Sequence, residues 1–293
     1  ALGRDAANLA DPDICAAAIR AHAPEAVINA AAYTAVDRAE EEEALATVIN
    51  GDAPAAMARA CAEAGIPLVH ISTDYVFDGE GTAPFHPNAP VAPLGAYGRS
   101  KLAGEEGVRG AGGVYAILRT SWVVSAHGTN FVKTMLRVGP ARGRLRVVDD
   151  QVGGPTPASD LARACLAAAR GLAADPGLTG TYHVAGAPDV SWADFARAIF
   201  DRAGLDCTVE DIPTTAYPTP AARPLNSRLD CSATQAAFGL PRPDWRAGLD
   251  LADTARLRRR VCDYIGGMTD RFALQEHARQ LEGRTPRLTI AGI

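Results

Sequence analysis

Pro67–Thr73 reads PLVHIST, a mostly apolar, β-branched run entered through a proline and closed by the Ser72–Thr73 pair. A short, almost continuous apolar run of this kind predicts a strand buried on both faces, as in a parallel sheet. Downstream stands Tyr97–Lys101 (YGRSK), in which Tyr97 and Lys101 are four residues apart and share one face of a helix. A cation beside a phenol favours the phenolate and draws its pKa down from about 10. Such a Tyr is a usable proton donor to a carbonyl under reduction. Thr73, at the strand end, could supply the hydroxyl that holds the carbonyl oxygen. Together these residues point to nicotinamide-dependent carbonyl reduction.

Working outward, strands and helices alternate. Asp11-Pro12 starts a helix that ends before Pro24, and Ala26–Ala32 (AVINAAA) is a short apolar strand. A helix rich in Ala and Glu is expected from about Asp37, and a second between about Pro54 and Ala64, stopped by Gly65. The proline-rich stretch from Asp78 to Gly95 reads as loop, the Tyr97 helix runs to about Val108, and Val114–Thr120 (VYAILRT) is another buried strand. After about Asp150 come a helix from Asp160 to Gly171, a strand Thr181–Val184, a helix from Ser191 to Ala203 and a loop Pro213–Pro220 (PTTAYPTP). The expected fold is α/β, a Rossmann-like doubly wound parallel sheet with a smaller α/β substrate lobe over its carboxyl edge. The expected division is a dinucleotide-binding domain over 1–150, lobe contributions over 151–250 and a helical tail over 251–293.

The chain has 293 residues, 47% of them hydrophobic and 22% charged, an ordinary balance for a globular enzyme. Its net charge of −5 argues against nucleic-acid or membrane-surface partners. No apolar run approaches the roughly 18 residues of a membrane span, and no signal peptide opens the chain. The six cysteines are scattered without a C-x-x-C spacing, so they read as reduced, mostly buried thiols, and a cytoplasmic address follows. The six histidines show no ligand spacing; His70 and His183, inside strands, read as satisfied core groups. Glu40–Glu43 reads as a solvated helix face.

The motifs now on the page are joined by Asn29–Glu40 (NAAAYTAVDRAE), Ser72–Phe77 (STDYVF), Tyr97–Glu105 (YGRSKLAGE), Arg119–Val123 (RTSWV), Asp150–Thr156 (DQVGGPT) and Pro213–Leu229 (PTTAYPTPAARPLNSRL). In this order they resemble the dTDP-4-dehydrorhamnose reductases, extended short-chain dehydrogenase/reductases, over roughly residues 5 to 250. The resemblance implies reduction of dTDP-4-dehydro-L-rhamnose to dTDP-L-rhamnose with NADPH or NADH, a step towards cell-surface polysaccharide, by an enzyme that could be a homodimer. It implies Tyr97 as proton donor, Lys101 as the cation that tunes it and binds the nicotinamide ribose, and Thr73 as the group orienting the carbonyl. Asp74 and Trp122 would lie against the sugar; Ala32, Tyr33 and Thr34 would line the cofactor, with Asn8 and Leu9 near the adenine. The family's Glu after the DQ-x-G-x-P-T motif is Ser159 here, so no metal is expected.

Two departures accompany the match. The family should begin with a strand and a glycine turn that receives the pyrophosphate. Here the chain opens ALGRDAANLADP, which resembles the end of the second strand, so roughly thirty residues are expected to be missing. The cofactor site would be incomplete, and the neighbouring strand would be left with an open edge. At the other end, Arg260–His277 resembles the C-terminal part of deoxyguanosine triphosphate triphosphohydrolases, without their His/Asp metal pairs. Other functions remain open: a non-catalytic relative serving as a regulatory subunit, or a sugar-nucleotide epimerase or dehydratase, for which Asp74 beside Thr73 would be the acidic residue.

Overall fold

The computed structural model describes residues 2–249 and 288–291. Five parallel strands form the main sheet. With the longer elements named in chain order, these are β1 (Ala26–Asn29), β2 (Leu68–Thr73), β3 (Tyr115–Thr120), β5 (Gly180–Val184) and β7 (Leu288–Ala291). Their spatial order is β7-β1-β2-β3-β5. Alternate side chains of the strands feed two cores. Val27, Leu68 and Ile117 pack with Cys15 and Ile19 of α1 (Pro12–His22), Met57 and Cys61 of α2 (Ala53–Ala64) and Val108 of α3 (Ala96–Gly110). Ile28, Val69, Ala116 and Leu118 pack on the other face against Leu161, Cys165, Ala168 and Leu172 of α5 (Ala158–Ala174). Helices on both faces explain why the strands lack polar alternation.

Local chemistry sets the boundaries. Asp11 caps α1 by accepting from the Ile14 N–H, with Pro12 in the first turn, and Gly65 ends α2 at φ +66°. The expected helix from Asp37 is instead two short pieces, Val36–Ala39 and Glu43–Thr47, which lead through a π-helical turn at Val48–Asp52 into α2.

A third, smaller core gathers Val132 and Met135 of α4 (Phe131–Arg142), Leu145 and Val147 of β4 (Arg144–Val148), and Phe195, Ile199 and Phe200 of α6 (Trp192–Ala203), with Trp245. β4 pairs in parallel with β6 (Thr208–Ile212). The sheet cores and this small core therefore interleave along the chain around residue 150. α4 and β4 precede it yet build the small core, while α5 and β5 follow it yet return to the main sheet. The physical reason is edge pairing: β5 saturates the outer side of β3, from Ala116↔Gly180 to Thr120↔Val184.

The expected open edge at β1 is also corrected. Leu288–Ala291 runs parallel to it, from Ala26↔Leu288 to Asn29↔Ala291, so β1 is paired on both sides. Part of the segment expected to be helical is thus a strand; the resemblance over 260–277 lies outside the described residues.

Candidate active site

β2 carries its last side chains to the carboxyl edge of the sheet. The Thr73 hydroxyl accepts from the Tyr75 N–H at 3.2 Å and caps the turn Asp74–Val76, while donating to Asp74 Oδ1 at 3.1 Å. α3 lies across this turn. A Cβ on Gly98 would stand 2.2 Å from the Tyr75 carbonyl oxygen, so only glycine lets the helix come this close. On the other side, a Cβ on Gly104 would stand 2.1 Å from the Asn50 carbonyl oxygen of the π-helical turn.

These approaches place Tyr97 and Lys101 beside Thr73. The Tyr97 ring meets Tyr75 edge-on at 5.5 Å between centroids, and Tyr75 is the residue whose N–H the Thr73 hydroxyl accepts. Lys101 is buried, and its Nζ donates to the Ile71 carbonyl at 2.7 Å, with His70 Nε2 at 3.5 Å. The expectation that the cation draws the phenol pKa down is not met. Burial pushes Tyr97 up to about 12, with the Thr73 hydroxyl opposing and the Asp74 charge adding to it. Lys101 itself is lowered to about 8, burial outweighing the attraction of Glu105.

Asp74 is buried, and its Oδ2 has no hydrogen-bond partner. Burial raises its carboxyl to about 6, against the opposing pull of the Ser227 and Thr73 hydroxyls. An orphaned buried acceptor at the end of a strand suits a ligand hydroxyl. Trp122, at φ 48°, is partly exposed and stacks on Trp192.

The loop after β1 is held by residues that the sequence did not single out. Tyr33 N–H donates to Asn50 Oδ1 at 2.8 Å, and Asn50 Nδ2 donates to the Tyr33 carbonyl and to Ser100 Oγ, both at 3.0 Å. Ser100 in turn donates to the Tyr97 carbonyl at 2.8 Å. The loop carries Ala32 and Tyr33, half-buried, and Thr34, exposed. A buried Asn in an Ala-rich helical run was the available signal for Asn50. The acidic run is more than a solvated face: Glu40 accepts from the Ala96 N–H, Glu42 from the Tyr33 hydroxyl and Glu43 from Arg99. Asp37 binds Arg223 at 2.9 Å and fastens the 213–229 loop beside the site.

Asn8 and Leu9 lie apart from this constellation. Leu9 is a core side chain packed with Ile19 and Val27, and Asn8 Oδ1 accepts from the Ala10 N–H. His70 is partnered as expected, whereas neither ring nitrogen of the buried His183 has a hydrogen bond. Among the described residues, no three His, Cys, Asp or Glu side chains gather as a metal site, and no helix is long and apolar enough to cross a membrane.

Comparison with known proteins gives this geometry its relatives. Residues 1–256 match the family described as RmlD substrate binding domain. A dTDP-4-dehydrorhamnose reductase from Sinorhizobium fredii is 44% identical over 250 residues, covering 83% of this chain and 84% of that protein. A crystal structure of a dTDP-4-dehydrorhamnose reductase from Clostridium acetobutylicum aligns with TM-score 0.80 and 37% identity over 86% of this chain and 89% of that one. The Bacillus anthracis enzyme of the same name, solved in complex with NADP, aligns with TM-score 0.78 and 36% identity, covering 85% and 87%. The folded strand-end hydroxyl, the helix with its Tyr and Lys, and these relatives agree: the chain belongs to the dTDP-4-dehydrorhamnose reductase family.

Proposed function

We propose that the chain reduces dTDP-4-dehydro-L-rhamnose to dTDP-L-rhamnose with NADPH or NADH, in the cytoplasm and as a homodimer. The observation that carries this reading is the gathering of Thr73 at the strand end, Tyr97 packed against Tyr75 of the turn that Thr73 caps, and Lys101 buried one helical turn further on. A bound NAD(P)H supplies the hydride to the sugar C4. As the carbonyl oxygen gains negative charge, the Tyr97 phenol donates its proton and the Thr73 hydroxyl holds the oxygen in line. With Tyr97 pushed up to about 12, the phenol keeps its proton throughout the neutral range, as a donor must. Asp74 Oδ2 offers an acceptor to a sugar hydroxyl, and Trp122 offers a ring face.

The nicotinamide end of the cofactor suits the residues present. Lys101 has donors to spare beyond its bond to Ile71, for a ribose hydroxyl, and Ala32, Tyr33 and Thr34 form the adjoining wall at the carboxyl edge of β1. Asn8 and Leu9 would serve the adenine, Leu9 only through its backbone, since its side chain is in the core. Among the described residues, no glycine turn leads from a strand into a helix beside β1, and the pyrophosphate is assigned no partner.

Asp74 favours a second reading: a carboxyl raised to about 6 beside Thr73 suits acid–base chemistry in a dehydratase or epimerase. Incubation with the keto sugar nucleotide and NADPH separates the two. Equimolar oxidation of nicotinamide and formation of the 4-hydroxy sugar support reduction. A changed sugar without net oxidation supports the second reading, and an unchanged sugar overturns both.

A further inference from the structure

Along α3, Tyr97, Lys101 and Glu105 follow one another at intervals of four and so share one face. Between the buried apolar residues near its two ends, Ala96 and Val108, the buried positions of the helix are Gly98, Ser100, Lys101, Gly104 and Glu105. Glycines let backbones touch, but they offer no side chain to interlock with a neighbour. A helix seated on such a face slides along its axis unless directional bonds stop it. The register of α3 against the sheet therefore rests on its buried hydrogen bonds.

Glu105 makes the densest set of them. Its Oε1 accepts from the Ser72 hydroxyl at 2.6 Å and from Arg119 Nε at 2.8 Å. Its Oε2 accepts from Arg119 Nη2 at 2.7 Å and from Arg109 Nη2 at 2.6 Å. Glu105 and Arg119 are both buried, and the guanidinium grips the carboxylate through two parallel bonds. Burial alone would raise the Glu105 carboxyl, but Arg119, Ser72 and Arg109 together hold it below its ordinary value, so it is ionised. Ser72 and Arg119 are cross-strand partners on β2 and β3, and Ser72 directly precedes Thr73. Arg119 also donates from Nη1 to the Pro87 carbonyl at 3.0 Å, and its Cζ lies 4.9 Å from the centre of the Phe77 ring. One carboxylate thus ties together the helix that bears Tyr97, the strand end that bears Thr73 and the loop that follows.

Stability does not account for this arrangement. Apolar residues of similar volume often replace a buried ion pair without loss, whereas they supply no direction. We propose that Glu105, gripped by Arg119 and Ser72, is a positioning residue for the reduction: it sets the axial place of α3 and so the distance from the Tyr97 phenol to a carbonyl held at Thr73. This rests on the reading of Tyr97 as proton donor.

The test uses the full chain. Glu105→Gln keeps the size of the side chain and sets an amide N–H against the guanidinium. Ser72→Ala leaves the ion pair whole and removes only the tie to the strand end, so it serves if Glu105→Gln does not fold. With 3-fluorotyrosine at all seven tyrosines, fluorine spectra without substrate report the helix, and Tyr97→Phe assigns the Tyr97 signal. The Tyr97 signal should move in both variants while that of Tyr182, packed on Phe238 away from α3, stays in place. In unlabelled protein kcat should fall about tenfold to a hundredfold, the scale of a small misplacement of a reacting group, with both KM values within about threefold of the parent. A Tyr97 signal that stays in place in a folded variant overturns the proposal, and so does one that moves while kcat holds. A parent chain without turnover sinks the reductase reading alone, because the fluorine signals need no substrate.

Discussion

The rings of Trp122 and Trp192 lie 3.6 Å apart and 13° from parallel, joining the end of β3 to the first residue of α6. Trp122 sits at φ 48°, a left-handed conformation that costs a bulky residue roughly 1–2 kcal/mol. The stack, worth about 0.5–1.5 kcal/mol, offsets much of this, and Trp192 is itself anchored by its Nε1–H to Gln151 Oε1 at 3.2 Å. Trp192→Ala should therefore release Trp122, raising KM for the sugar nucleotide about threefold to tenfold with kcat little changed. Steady-state kinetics decide this, and an unchanged KM means that Trp122 is held by other contacts.

The proton-transfer roles are tested at Tyr97 and Lys101. Tyr97→Phe removes the donor and keeps the ring against Tyr75. Lys101→Met keeps the buried stem and removes the Nζ that holds Ile71. Each should lower kcat by about 10² or more, the usual scale for a positioned general acid. Turnover within tenfold of the parent in both variants would sink the assignment.

Thr73→Val and Trp122→Ala probe the sugar side. Both should depress turnover while NADPH affinity, followed by fluorescence titration, stays near that of the parent. A large loss of cofactor affinity in either variant would place its side chain on the other ligand.

Gly98→Ala tests the packing that brings α3 to the strand end. The added Cβ would meet the Tyr75 carbonyl oxygen at 2.2 Å, a rigid backbone atom that cannot move aside without lifting the helix. Overpacking of this kind costs about 1–3 kcal/mol. Denaturant unfolding should show that loss together with reduced turnover, and a variant as stable and active as the parent would refute the close approach.

The strand end and the helix face that carry the proposed residues were legible because they are local, written in consecutive residues. What binds them together was not. Asn50 reaches Tyr33 and Ser100 from a π-helical turn inside an Ala-rich stretch that reads as plain helix. α4 is not legible as a helix because Pro140 lies inside it between Gly139 and Gly143, all signals of a break. The interleaving of the sheet cores with the small core depends on which strand edge β5 pairs with, and pairing between residues some sixty apart leaves no local pattern, as with Ala116↔Gly180. The edge taken by Leu288–Ala291 is the same case at greater distance.

Asp74 makes stability depend on pH in a predictable direction. Its carboxyl is raised from 3.8 to about 6 in the folded protein, burial being the chief cause. The folded state thus holds the proton more tightly than the unfolded state. Relative to a carboxyl that binds its proton equally in both states, this stabilises the fold below about pH 4, and the contribution is lost as pH rises through about 6. Above that range the ionised, half-satisfied carboxylate costs about 3 kcal/mol, since each tenfold difference in proton affinity between the two states corresponds to about 1.4 kcal/mol. Asp74→Asn keeps the shape and removes the charge. It should match the parent at low pH and become the more stable of the two between about pH 4 and 6, reaching a plateau above. It should also lose sugar-nucleotide affinity, because the acceptor at Oδ2 becomes an amide in one of its two orientations. Urea denaturation of both proteins across pH gives the curve. A constant stability difference would mean that the carboxylate finds partners when ionised, and that Oδ2 is no ligand acceptor.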